Sequence, residues 1–191
     1  MTQRVLKGKR ILLGITGGIA AYKAPLLVRL LKKAGSEVQV VMTENAGQFV
    51  TPLTLATVSE RPVCSTMWPS EEALQQTDIA HISLADWAEL VVVAPATANI
   101  LGKLAGGLAD DLLSTTLITV TCPVLLCPSM TTSMYENPFV KENLAKLKKH
   151  GYHLLEPAAG ELACGKIGPG RLPEPEAIVQ AIARLLAGRR A

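Results

Sequence analysis

Arg10-Ile-Leu-Leu-Gly-Ile-Thr-Gly-Gly-Ile-Ala-Ala-Tyr-Lys23 is an apolar run that breaks at a glycine pair and resumes with small side chains. Residues 10–15 read as a buried strand and Thr16-Gly17-Gly18 as a turn. From 19 to 34, apolar residues at 19, 20, 26, 27, 30 and 31 follow helical spacing, and Gly35 stops that helix. A strand, a glycine turn and a helix in this order open a parallel α/β sheet. The turn has two readings: a plain tight turn, or a ligand cradle in which glycine admits the ligand to the backbone and the helix start attracts phosphate. A dinucleotide fold is disfavoured, because it wants G-x-G-x-x-G and an acidic residue closing the second strand. Here the second strand, 37–42, runs into Thr43, with Glu44 one position late.

Working outward, the alternation continues. A helix is expected over 51–59, an irregular connection over 60–80, and a short helix over 83–89. Leu90-Val-Val-Val-Ala94 is a fully buried strand ending at Pro95, followed by a helical region over 99–119. Strand 123–127, helix 137–150, strand 152–156, a Gly/Pro-rich loop over 158–173 and a helix over 174–187 complete the chain. The expected fold is α/β: a three-layer, doubly wound parallel sheet in a single domain spanning 1–191. In such sheets ligands bind beyond the carboxyl ends of the strands. That rule singles out residues 16–20, 43–51, 95–99 and 128–134.

Composition narrows the function classes. The 191 residues carry 19 Lys+Arg against 16 Asp+Glu, and 49% of them are hydrophobic, which excludes disorder. A net charge of +3 without a basic run gives no nucleic-acid footprint. The uncharged stretch 112–135 imitates a membrane span, but Pro123 and Pro128 interrupt it. No apolar leader precedes the first strand, so a cytoplasmic protein is expected. Cys64, Cys122, Cys127 and Cys164 form no C-x-x-C pair, so neither a metal site nor a disulfide framework is expected. Cys122 and Cys127 flank an apolar strand and read as small core residues.

Several segments could carry chemistry, and each also has a plain structural reading. Pro95-Ala-Thr-Ala-Asn99 offers a flat, small-residue surface with Thr97 and Asn99 as hydrogen-bonding groups, or is simply a strand exit. Pro128-Ser-Met-Thr-Thr-Ser-Met134 sets two methionines four apart in a polar loop, either facing a ligand or anchoring the loop. Gly160-Glu-Leu-Ala-Cys-Gly-Lys-Ile-Gly-Pro-Gly-Arg171 places a thiol among glycines and cations, an activated group or an ordinary exposed cysteine. His81, if at a helix N-terminus, is held neutral as a general base needs; otherwise it is structural. His150 and His153 read as surface residues.

Five stretches in register carry a family resemblance: Gly17-Gly-Ile-Ala-Ala-Tyr-Lys23, His81-Ile-Ser-Leu-Ala, Pro95-Ala-Thr-Ala-Asn99, Pro128-Ser-Met-Thr-Thr-Ser-Met-Tyr135 and Ala163-Cys-Gly-Lys-Ile-Gly-Pro-Gly-Arg171. In these the chain resembles the homo-oligomeric, flavin-containing cysteine decarboxylases, a Rossmann-like flavoprotein family. The resemblance implies an FMN-dependent carboxy-lyase that converts 4'-phosphopantothenoylcysteine to 4'-phosphopantetheine in coenzyme A biosynthesis. It implies FMN contacts at Gly17, Gly18, Ile19, Ala20, Thr43, Phe49, Pro95, Ala96, Thr97, Ala98, Asn99, Ile100 and Met130, and no metal. His81 and Cys164 are implied as catalytic, with substrate contacts at Ser129, Met134, Ala163, Lys166 and Arg171. The Gly-rich stretch 158–173 becomes an active-site flap. The family also implies a homotrimer or dodecamer with the active site between subunits. A phosphopantothenoylcysteine ligase, fused or separate, is the implied partner, and this chain stops about where a fused ligase would begin.

The implied chemistry needs an electron sink. Oxidising the cysteine thiol to a thioaldehyde places the carboxylate β to C=S, loss of CO2 leaves an enethiolate, and hydride return with a proton completes the reaction. His81 serves the first half and Cys164 the second. One position departs from the pattern: the family has Asn after the first Met of Pro-x-Met-Asn-x-x-Met, and this chain has Thr131. One short hydroxyl replaces an amide's acceptor and donors. The departure predicts weakened hold on the substrate carboxylate at this catalytic position. Rival expectations are a catalytically deficient regulatory or assembly subunit, a peptidyl-cysteine decarboxylase that stops at the enethiol, and a flavin prenyltransferase, whose phosphate-binding pattern is missing.

Overall fold

In the computed structural model, which describes residues 2–68 and 79–188, apolar faces alternate along each central strand. On β1 (Arg10–Ile15), Ile11, Leu13 and Ile15 face one side of the sheet and Leu12 the other. β3 (Leu90–Ala96) repeats the pattern, with Leu90, Val92 and Ala94 opposite Val91 and Val93. Strands coated on both faces cannot stand in water, so helices cover each side.

The sheet runs β2-β1-β3-β4-β5, all parallel, with β2 at Glu37–Met42, β4 at Val124–Pro128 and β5 at His153–Leu154. On one face lie α1 (Thr2–Leu6), α2 (Ala24–Lys33), α3 (Pro52–Ser59) and α9 (Pro175–Gly188). The opposite face holds α4 (Ala80–Trp87), α5 (Ala98–Gly106), α6 (Leu112–Thr119) and α8 (Pro138–Lys149). The expected three-layer, doubly wound architecture is what the chain adopts. Both sheet edges are short of free strand. β5 is two residues long, and residue 64 crosses β2, giving its amide to Val40 and its carbonyl to the amide of Met42.

Local signals explain where the elements differ from expectation. The helix expected over 19–34 divides into a 3-10 turn, Ile19–Lys23, and α2, which begins with Pro25 in its first turn. The helical region over 99–119 is two helices. Gly107, in the left-handed region at φ 72°, ends α5, and Asp111 caps α6 by accepting from the Ser114 amide at 2.8 Å. The expected loop over 158–173 is corrected: it forms an antiparallel hairpin of β6 (Ala158–Glu161) and β7 (Ile167–Arg171). Part of the expected connection 60–80 lies outside the described residues. Cys127 is fully buried, where burial pushes its thiol far above the ordinary range, and Cys122 is half-buried; none of the four cysteines is in a disulfide.

Candidate functional site

The topology reverses between β1 and β3: the chain leaves β1 for β2 on one side and returns to β3 on the other. At such a switch point the flanking loops diverge and leave a crevice. Thr16, the first residue after β1, holds the two strand ends together. Its buried hydroxyl donates to the Pro95 carbonyl at 2.7 Å and accepts from the Thr97 amide at 3.1 Å. The Ala94–Pro95 peptide between them is cis.

Above this clasp opens a cavity of about 1120 Å³, roomy for a cofactor-sized ligand, since such pockets run from about 300 to 1,000 Å³. Its floor is the Gly17-Gly18 turn with Ile19 and Ala20. Gly17 has no substitute here, because a Cβ would sit 2.5 Å from the Asn45 Cβ. Thr43 and Asn45, beyond β2, form one wall; Thr97, Ala98, Asn99 and Ile100 form another. Thr97 caps α5, its hydroxyl lying 3.5 Å from the Ile100 amide.

The segment after β4 closes the far side. Ser129, Met130, Thr131 and Met134 line the cavity, and Thr131 starts the short helix α7 (Thr132–Tyr135) with its hydroxyl 3.2 Å from that of Ser133. Tyr135 is buried beneath and donates a short hydrogen bond to Glu156, while Lys141 lies over its ring at 3.8 Å. Burial and the adjacent carboxylate push the Tyr135 phenol up to about 12.

The hairpin hangs on this segment. The Met130 amide donates to the Gly170 carbonyl at 3.0 Å, and the Thr132 hydroxyl donates to that of Pro169 at 2.9 Å. Gly170 has φ 134°, and a Cβ there would fall on the Met130 carbonyl oxygen. The tip, closed by Leu162 donating to the Lys166 carbonyl at 2.8 Å, brings Ala163 and Cys164 to the cavity. Arg171 lines it from the hairpin's base.

Most of the sequence-predicted residues therefore share one cavity. Five do not line it. Pro95 and Ala96 are buried in β3, where the Pro95 carbonyl serves the clasp and the Ala96 carbonyl accepts from the Ser129 amide at 3.1 Å; Phe49 lies exposed past the Thr43 wall; Lys166, on the hairpin tip, does not line the cavity. His81 sits half-buried in the first turn of α4, away from the cavity of its own chain.

Charged lining residues escaped the sequence reading. Lys103 reaches two carboxylates, Asp110 and Asp111, each at 2.7 Å. Partial burial opposes its charge, but the two carboxylates hold the ammonium above its usual range. Lys23, with its side chain 8% exposed, reaches Glu174 at 2.9 Å, and Arg171 reaches the same carboxylate oxygen at 2.7 Å. The hydrogen bond from Lys23, seconded by Arg171, holds the Glu174 carboxyl below its usual range. Asp-Asp after Gly-Gly was a readable signal for a helix cap; no local pattern joins Lys23 to a residue 151 positions on.

Residues 1–187 match the family described as Flavoprotein. The chain belongs to the flavoprotein family. It is 48% identical over 176 residues to the coenzyme A biosynthesis bifunctional protein CoaBC of Bacillus subtilis (strain 168), covering 92% of this chain and 43% of that protein. It thus spans less than half the length of the curated relatives it matches. Among solved structures it resembles a cysteine-to-serine mutant of PPC decarboxylase complexed with pantothenoylaminoethenethiol, with a TM-score of 0.82 and 32% identity over 95% of this chain and 100% of that one. The FMN-dependent cysteine decarboxylase SpaF superposes equally well, with a TM-score of 0.82, 31% identity, and coverage of 97% and 99%. No helix among the described residues is long and apolar enough to cross a membrane, and no cluster there could hold a metal ion.

Proposed function

We propose that this flavoprotein is a phosphopantothenoylcysteine decarboxylase, acting in coenzyme A biosynthesis with FMN as its cofactor. The observation that carries the proposal is the convergence of four separated segments, 17–20, 97–100, 129–134 and 163–164, on one cavity at the switch point of the sheet. The donor set suits a flavin. A side-chain-free floor at Gly17 and Gly18, small residues at Ala20 and Ala98, and the polar ends of Thr43, Thr97 and Asn99 suit a flat ring with a phosphorylated chain.

FMN, when bound, would supply the reversible two-electron chemistry that a cysteine carboxylate lacks. The chain's own residues do the rest. Gly17 to Ala20, Thr43, Asn99 and Met130 would hold the cofactor. Ser129, Thr131 and Met134 would place the substrate between it and the hairpin. The hairpin over 158–173 acts as the flap, excluding water above the reacting carbons, with Ala163 and Arg171 as contacts. Lys166, outside the cavity lining, would reach substrate only with the flap rearranged. The Cys164 Sγ delivers the final proton to the product.

His81 must then come from another copy, which supports the homotrimer, or a dodecamer of such trimers. Ile79, 54% exposed, and Ile82, 41% exposed, flank it as a face that another copy would cover. Phe49, 44% exposed, would meet FMN in the same assembly. A cytoplasmic enzyme with a ligase as fused or separate partner completes the reading.

Mass spectrometry of the small molecules after mixing protein, FMN and 4'-phosphopantothenoylcysteine tests it. Catalytic accumulation of 4'-phosphopantetheine is expected, and unchanged substrate with flavin bound would refute it. That outcome would favour the second reading, a catalytically deficient relative, for which Thr131 is the specific observation.

A further inference from the structure

Every charged side chain that lines the cavity belongs to one of two groups or is a lone carboxylate. Three cations face it, Lys23, Lys103 and Arg171, against Glu44, Glu161, Asp110 and Asp111. A negatively charged ligand therefore enters a cavity whose lining is not positive overall, and where its charge can rest depends on which cations are already matched. Lys103 is matched twice over, by Asp110 and Asp111 at 2.7 Å each. Lys23 and Arg171 share one carboxylate, and both reach the same oxygen of it, Glu174 Oε1. Glu174 is itself 55% exposed and does not line the cavity. Of the two ion-paired groups, this one alone has more cations than carboxylates.

The two cations are also unlike in kind. The Lys23 ammonium is nearly enclosed and bonds one carboxylate oxygen, so a buried cation is balanced by half of a shared partner. The Arg171 guanidinium carries five donors and gives Nη2 to Glu174, leaving others for a planar or tetrahedral oxyanion. They approach from different elements, Lys23 from the 3-10 turn after Gly18 and Arg171 from the end of β7.

We infer that Lys23 and Arg171, bridged by Glu174, form the phosphate-monoester site of the cavity, with Glu174 as the residue that sets its charge. The assignment rests on the flavoprotein decarboxylase reading for its ligands, and two of them carry such a phosphate: FMN and the 4'-phosphopantothenoyl substrate. The charge arrangement serves either one. Glu174 keeps the pair from holding two phosphates or stray polyanions tightly, since its carboxylate cancels one of the two positive charges. Removing Lys23 or Arg171 therefore weakens a phosphorylated ligand relative to its phosphate-free counterpart, and removing the charge of Glu174 strengthens it.

The test is binding. Isothermal titration at low salt measures FMN against riboflavin on the flavin-free protein. A second arm measures 4'-phosphopantetheine against pantetheine on the FMN-loaded protein. In one of the two arms the preference for the phosphorylated ligand should fall about tenfold in both K23M and R171M, the loss of one charge-assisted hydrogen bond, and rise in E174Q. R171M changes a half-exposed side chain, so it keeps the test open should K23M fail to fold. A change in the FMN arm assigns the cofactor's phosphate to this site; a change in the other assigns the substrate's. Preferences unaltered in both arms, with riboflavin still bound, would overturn the assignment while leaving the flavoprotein reading intact. Failure of the unmodified protein to bind either flavin would overturn that reading and this assignment with it.

Discussion

Gly170→Ala should detach the hairpin from the cavity without unfolding the sheet. At φ 134° a side chain is strained, and the added Cβ would fall on the carbonyl oxygen of Met130, which is backbone and cannot turn aside. The strand must then move off, giving up the hydrogen bond from the Met130 amide to the Gly170 carbonyl and that from the Thr132 hydroxyl to the Pro169 carbonyl. Each is worth about 1 kcal/mol net, and the forced backbone conformation adds roughly 1–2 kcal/mol. A local loss of roughly 3–4 kcal/mol corresponds to a factor of about 10² to 10³ in the opening equilibrium. Hydrogen exchange followed by NMR reads this directly: the Met130 amide should exchange faster by that factor, while Val91–Val93 amides in β3 keep their protection. Flavin binding should persist, because the floor at Gly17 and the wall at Asn99 are untouched, and turnover should collapse as Cys164 leaves the cavity. Unchanged exchange at Met130 would refute the view that these contacts hold the hairpin.

Three other perturbations are informative. Thr131→Asn, which restores the family's amide facing the cavity, should raise turnover about tenfold; equal rates would show that this position does not limit the reaction. Thr16→Val strips the clasp at the switch point, leaving the Pro95 carbonyl and Thr97 amide without their shared partner, and should cost roughly 1–3 kcal/mol in denaturant unfolding. Asp111 bears on acid stability. Burial pushes its carboxyl up, but hydrogen bonds from Lys103 and from the Ser114 amide and hydroxyl, with the charge of Lys103, leave it below the usual value. A depressed folded pKa gives stabilisation that is full above the unfolded value, about 4, and is lost as pH falls from there through the folded one. Melting temperatures taken from pH 7 to 3 should therefore converge for the parent protein and Asp111→Asn at the acid end, the parent being higher at neutral pH.

The central sheet was legible because its strands carry their own message: Ile-Leu-Leu at 11–13 and Val-Val-Val at 91–93 are too apolar for anything but a doubly covered strand. The glycine turn and the segments after β3 and β4 followed from that frame. The hairpin was not legible. Its strands are Ala-Ala-Gly-Glu and Ile-Gly-Pro-Gly-Arg, with almost no intrinsic preference for extended pairing. They are held by the docking of Gly170 and Pro169 on the Met130–Thr132 backbone, a tertiary contact with no local signature. Likewise His81 was legible as a motif member, yet nothing in a single chain's sequence tells that its own fold carries it away from the cavity. Lys23 and Glu174 meet only because α2 and α9 pack on the same face, so their pairing belongs to topology, not to spacing.

The two blunt margins of the sheet bear on how copies of this protein can meet. A parallel sheet with a bare outer strand is a template for further strands, and hence for runaway growth. Here β5 offers only His153 and Leu154, and the backbone on the outer side of β2 is already engaged by Cys64 at Val40 and Met42. Among the described residues, strand-by-strand extension has little purchase on either flank. In the proposed assembly, contacts between copies would then fall to side chains on helices and loops, where shape and charge choose the partner and the count of subunits stays finite.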